Sequence, residues 1–111
     1  MLRIGRRVEF AAVLGRGQRS NDPFFQVRVT RTTRAHARLG ISVSRRVSPK
    51  AVVRNRIKRQ IREVFRHYQQ ELAGLDVVVL AQAGAGARNN PELRASLQQL
   101  LKKIVLKCKG S

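Results

Sequence analysis

The sequence predicts an α+β protein in which one small mixed sheet is layered against helices. Three observations predict it. Val53, Ile57, Ile61, Val64, Tyr68 and Leu72 recur at helical spacing, which marks one apolar face of a long central helix. Phe25, Val27 and Val29, and then Leu39, Ile41 and Val43, alternate with polar or small residues, as half-buried strands do. Residues 76–82 form a nearly unbroken apolar run, as expected of a strand buried on both faces.

Taken in order, residues 1–7 read as a short basic arm, flexible as chain ends commonly are. Residues 8–14 read as a first helix, with Val8, Phe10, Ala11 and Leu14 on one face and Gly15 and Gly17 ending it. Residues 18–23 read as a polar turn with Asn-Asp-Pro chemistry. Residues 24–31 form a strand whose second face, Gln26, Arg28 and Thr30, is polar and basic. Residues 32–37 form a loop, and residues 38–46 a second strand. Its second face is Gly40, Ser42 and Ser44, which is either an ordinary exposed surface or the floor of a groove that admits a backbone closely.

Ser48 is the expected N-cap of the central helix, with Pro49 in its first turn. The helix should run to about Leu72, with Gly74 ending it. Strand, helix and apolar strand in succession suggest a βαβ unit with a parallel pair. A Gly/Ala/Asn loop fills residues 83–90. Asn90-Pro91 then opens a last helix with Leu93, Leu97, Leu100, Leu101 and Ile104 as its apolar face. The coarse order is αββαβα, or αβββαβα if the first extended region splits. No internal repeat or second domain is visible, so residues 1–111 are expected to form a single domain.

Charge narrows the function. The 111 residues hold 24 Lys or Arg against 6 Asp or Glu, a net charge of +18. A compact state with that imbalance repels itself unless a polyanion neutralises it. Residues 45–66 concentrate the effect, with nine basic residues and one acid, Glu63. At 100° per residue, Asn55, Arg59, Arg62 and Arg66 fall opposite the apolar stripe, flanked by Arg56 and Lys58. The expected partner is a nucleic-acid backbone. No apolar run is long enough to span a membrane and no signal peptide is visible, so a cytoplasmic protein is expected. Cys108 stands alone and gives no intramolecular disulfide.

Catalytic chemistry has few candidates. The acids Glu9, Asp22, Glu63, Glu71, Asp76 and Glu92 are scattered, whereas metal-assisted phosphodiester hydrolysis needs them clustered. Glu63 is better explained by an ion pair within its helix. Cys108, His36 and His67 have no metal-ligand spacing. No phosphate-cradling Gly-Lys-Ser/Thr loop is present. The isolated chain is therefore expected to have neither catalytic residues nor a metal site of its own. Asn55, uncharged among cations, is either a positioning contact to RNA or a hydrated ion, or a plain surface residue.

The run Arg54-Asn55-Arg56-Ile57-Lys58-Arg59, continued by Ile61-Arg62-Glu63-Val64-Phe65, resembles the signature helix of the bacterial ribonuclease P protein family. Leu39-Gly40-Ile41-Ser42-Val43-Ser44-Arg45-Arg46 is similar to that family's Ser-Val-Ser strand. Glu9-Phe10, Val13-Leu14 and Gly17 resemble its first helix, residues 76–81 its third core strand and residues 97–103 its last helix. The resemblance implies a two-layer αβββαβα fold with a left-handed βαβ crossover, against the usual hand. It implies a non-catalytic protein subunit of an endoribonuclease, whose catalytic RNA and Mg2+ ions, held mainly by that RNA, remove the 5′ leader from precursor tRNA. The protein would be monomeric within the ribonucleoprotein, with no DNA or membrane partner. By position, Arg45, Arg46, Arg54, Asn55, Arg56, Lys58, Arg59 and Arg62 would contact the catalytic RNA. Phe10, Leu14, Arg28, Ser42 and Ser44 would build the leader cleft between first helix and sheet. Leu14 and Arg28 stand where aromatics are common in the family, as does Lys107, and Gln82-Ala83 replaces a commonly basic pair. A ribosomal or other structural RNA-binding protein is the alternative reading.

Overall fold

The computed structural model describes residues 2–3, 18–32 and 35–109. The predicted first helix, with Phe10 and Leu14, lies outside them. The strands are β1 (Leu2–Arg3), β2 (Gln18–Asn21), β3 (Phe25–Arg31), β4 (Arg38–Ser42) and β5 (Leu75–Ala81). Two helices follow the βαβ expectation: α1 (Ala51–Tyr68) between β4 and β5, and α2 (Asn90–Lys109) at the end. A short 3-10 helix, Ala83–Ala87, links β5 to α2.

The strands form one mixed sheet in the order β1-β4-β5-β3-β2. β4 and β5 run parallel, with Leu39 opposite Val77 and Ile41 opposite Val79. β3 is antiparallel to both β5 and β2. Alternation along each strand sends Val27, Val29, Leu39, Val77 and Val79 into one core with Ile57, Ile61, Val64 and Phe65 of α1 and Leu93, Leu97, Leu100, Leu101 and Ile104 of α2. Both helices thus cover one face of the sheet. Val78 is also buried but faces the other way, outside that core, so β5 is covered on both sides as its apolar run predicted.

Several local expectations change. Gln18–Asn21 is a strand and not part of a turn. It has no apolar alternation because it is held at the sheet edge by backbone pairing to β3. The turn is confined to Asp22-Pro23-Phe24, where Asp22 Oδ1 accepts from the N–H groups of Phe24 at 2.8 Å and Phe25 at 2.9 Å. Leu2–Arg3 pair in parallel with β4 where a loose arm was expected. β4 stops at Ser42, because Ser44 to Val47 form a turn closed by Val47 N–H donating to the Ser44 carbonyl at 3.1 Å. α1 ends at Tyr68, four residues before the expected Leu72. Leu72 is fully buried in the turn that follows, and Gly74 there has a φ of 82°, a conformation costly for any residue with a Cβ.

The helix starts also differ. The N-cap of α1 is Lys50, with no side-chain cap. Ser48 acts one step earlier, its hydroxyl accepting from Lys50 N–H at 3.2 Å. α2 carries a reciprocal cap instead: Asn89 Oδ1 accepts from Glu92 N–H at 3.0 Å, and Glu92 Oε1 from Asn89 N–H at 3.4 Å. Asn89→Ala should cost about 1 kcal/mol, seen as a lower urea midpoint with unchanged slope.

Candidate nucleic-acid interface

Because α1 spends its apolar face on the core, its opposite side is left to solvent. Asn55, Arg59, Arg62 and Arg66 are exposed along it, and Arg56 and Lys58 are half-buried at its flanks. Val52 lies on the same outward line and is 80% exposed. The turn before the helix adds Arg45 and Arg46, both exposed. Seven of the eight residues expected to contact RNA thus lie on or beside one surface at the start of α1 and along it.

Arg54 is the exception. It sits at the edge of the buried face, and its Nη1 donates to the Ser48 carbonyl at 2.9 Å. Arg56 also has an internal task, with Nη1 donating to Asn90 Oδ1 at 2.8 Å, which ties α1 to the start of α2. Arg66 pairs with Glu63 at 2.7 Å, the intrahelical pair expected from spacing. That pair is exposed and worth well under 1 kcal/mol. The ridge is therefore part solvent-facing cationic surface and part brace.

The other face of the sheet carries the remaining candidates. Register places Gly40, Val78, Arg28 and Arg19 in one row across β4, β5, β3 and β2, and Ser42, Leu80, Gln26 and Asn21 in the next. Arg28 and Ser42 are half-buried there, and Ser44 is exposed just beyond β4. Arg19 lies in the stretch that the sequence presents as a turn, and it joins this row as a strand residue. The signal that could have placed it is the two-residue period running back through the Asp22-Pro23 turn, which sets Arg19 beside Arg28. At the same end of the sheet, Gln82 Nε2 donates to the Asp22 carbonyl at 2.6 Å and to the Phe25 carbonyl at 3.3 Å. Gln82 is therefore a cross-link, where a basic pair is common in the family it resembles.

Four carboxylates are committed to internal contacts. Asp76 pairs with Arg38, Glu63 with Arg66, and Glu92 with Arg88 at 3.2 Å. Asp22 holds its turn and accepts from the Ser96 hydroxyl. Among the described residues, no three His, Cys, Asp or Glu side chains come together where they could hold a metal ion. The described residues therefore do not fit a protein-held magnesium ion. Among them, no helix is long and apolar enough to cross a membrane.

A cationic helix on a rigid core, backed by a sheet with a second polar face, suits a protein of the nucleic-acid-binding class. The comparisons with known proteins carry this further. A family model for ribonuclease P matches residues 1–105. The chain is 39% identical over 101 residues to the ribonuclease P protein component of Xanthomonas oryzae, covering 91% of this chain and 69% of that one. It is 48% identical over 69 residues to the protein of the same description from Stutzerimonas stutzeri, covering 62% of this chain and 53% of that one. Among solved structures, the Staphylococcus aureus RNase P protein superposes with a TM-score of 0.87 at 31% identity, over 94% of this chain and 95% of that one. The Thermotoga maritima RNase P protein does so with a TM-score of 0.80 at 29% identity, over 93% and 97%. The chain belongs to the ribonuclease P protein family, as the protein subunit of that endoribonuclease. The alternative of a ribosomal or other structural RNA-binding protein gives way to these matches.

Proposed function

We propose that the chain assists a catalytic RNA in removing the 5′ leader of precursor tRNA in the cytoplasm. It docks on that RNA through Arg45, Arg46, Asn55, Lys58, Arg59 and Arg62, with Arg54 and Arg56 bracing that surface as well as adding charge to it. The single-stranded leader lies on the other face of the sheet, along Arg28, Ser42 and Ser44, with Phe10 and Leu14 of the N-terminal segment completing the cleft. The observation that carries this reading is the division of polar surface between the two layers. The ridge of α1 points away from the core on one side, and the adjacent rows that carry Arg28 and Ser42 point away on the other. One folded domain can then hold the catalytic RNA and the substrate's leader at the same time.

Small side chains at Ser42 and Ser44 leave room for a nucleic-acid strand, and Phe10 offers a stacking surface. The phosphodiester chemistry belongs to the RNA and its Mg2+: of this chain's described carboxylates, Asp22, Glu63, Asp76 and Glu92 are occupied by its own Arg, Ser and backbone groups, and Glu71 stands apart from them in the turn after α1. The chain contributes binding and orientation, acting as a monomer within the ribonucleoprotein.

Reconstitution with a ribonuclease P RNA at low magnesium tests this reading. Added protein is expected to raise cleavage of leader-bearing precursor, and no gain would defeat the proposal. Phe10→Ala should weaken precursor binding by roughly 5–150-fold, the range for one lost base stack, and leave mature tRNA nearly unaffected. Equal losses for the two would place Phe10 in the core only.

A further inference from the structure

The turn bearing Arg45 and Arg46 is seated on the 3-10 helix Ala83–Ala87, far from it in sequence. A Cβ placed on Gly86 would lie 2.1 Å from the Val47 carbonyl oxygen and 3.2 Å from its carbon, where real Cβ contacts essentially never fall below 3.0 Å. The two backbones therefore touch, and only glycine permits it. On the other side of the seat, the next carbonyl, that of Ser48, is held by Arg54 at 2.9 Å. The turn closes through Val47 N–H, and the Val47 side chain is buried in the core.

We infer that Gly86 is a positioning residue for catalytic-RNA binding: by seating Val47 it fixes the Arg45-Arg46 turn relative to the cationic ridge of α1. The inference rests on the proposed contact of Arg45 and Arg46 with that RNA. The geometry decides which side yields when Gly86 gains a methyl group. Ala85 is fully buried and its N–H donates to the Gln82 carbonyl at 2.9 Å, while Gln82 is anchored to Asp22 and Phe25. The 3-10 helix is thus tied down beside the core. The turn has two exposed residues at its centre, Arg45 and Arg46, and it is the turn that moves, by about the ångström that separates 2.1 Å from an allowed contact. Arginine forks on a displaced turn no longer meet phosphates whose spacing is set by the ridge contacts.

Gly84 supplies a control within the same five residues. Its Cβ would meet the Pro23 carbonyl oxygen at 2.8 Å and Phe24 Cδ1 at 3.3 Å. Gly84→Ala therefore strains the same helix but presses on the β2–β3 turn and not on Val47.

The test is binding of the full chain to a ribonuclease P RNA across a salt series, with the folded fraction of each variant measured by circular dichroism. Arg45→Ala with Arg46→Ala should lower the salt slope by roughly 1 per lost phosphate contact. Gly86→Ala should lower it by a similar amount, so that a rise in salt from ~50 to ~200 mM costs about tenfold less affinity than in the parent. Removing Arg45 and Arg46 in the Gly86→Ala background should then change little. Gly84→Ala should keep the parent slope. Val47→Ala, which loosens the seat without an overlap, should lower the slope in the same direction, and it decides the matter if Gly86→Ala does not fold. A parent slope in folded Gly86→Ala or in Val47→Ala, full additivity with the arginine pair, or an equal loss in Gly84→Ala overturns the inference. An unchanged slope in the arginine pair itself overturns the contact on which the inference rests.

Discussion

Replacing Arg59 and Arg62 together by alanine is expected to weaken catalytic-RNA binding by roughly 10²-fold or more, from about 1.5–3 kcal/mol for each charge-assisted hydrogen bond lost. Both side chains are exposed on the outward line of α1. Among the described residues neither shares in the contacts that occupy Arg54, Arg56 and Arg66. Their removal should therefore leave the fold intact. An exposed substitution away from caps and pairs changes stability by about 0.5 kcal/mol or less, and here it also relieves part of the self-repulsion of a +18 chain.

The salt dependence separates phosphate contact from other losses. Two fewer neutralised phosphates should lower the slope of log affinity against log salt by roughly 1.4–1.8. Affinity that falls while the slope holds would mean that the arginines act on something other than the RNA backbone. Arg56→Ala makes the useful contrast. It loses charge and also the bond to Asn90 Oδ1, so its affinity loss should come with a lower urea midpoint, which the Arg59 and Arg62 pair should not show.

Much of this interface was legible because it is built from short-range periodicity. The spacing of Val53, Ile57, Ile61 and Val64 sets the buried side of α1 and so the direction of Arg59 and Arg62. The five apolar residues of α2 are buried as expected, and β5 is buried along most of its length. What could not be read depends on partners distant in sequence. Gln18–Asn21 is polar throughout and becomes a strand only because β3 offers it a ladder. Residues 83–87, all Gly and Ala, have no period at all, and their conformation is set by close approach to Pro23 and Val47. Arg54 reads as one more cation until the Ser48 carbonyl is found beside it. Spacing can say which way a side chain points from its helix, but not what loop folds back to meet it.

Arg38 and Asp76 are the extreme case of that limit, and Asp76→Ala is expected to have the largest effect on stability. The two are register partners on the parallel strands β4 and β5. Arg38 Nε donates to Asp76 Oδ1 at 2.8 Å and Nη2 to Oδ2 at 2.5 Å. Their side chains are only 9% and 10% exposed. Truncating the acid removes the carboxylate that both bonds reach, and breaking a buried pair from one side typically costs about 3–5 kcal/mol, a large part of the ~5–15 kcal/mol that holds a typical domain together. Replacing both, as Arg38→Met with Asp76→Leu, should recover part of that loss, because no buried guanidinium is then left facing an apolar residue. Urea unfolding of the free protein measures both variants, and a loss below about 1 kcal/mol in Asp76→Ala would mean that the other contacts of Arg38 hold its charge. The pair lies away from the ridge of α1, so the folded variant should keep its affinity for the catalytic RNA. Binding to the folded state alone then restores stability by mass action, about 2.7 kcal/mol at RNA a hundredfold above its dissociation constant. Asp76→Ala should accordingly fail most at low RNA concentration and approach parental precursor cleavage when the RNA is in excess.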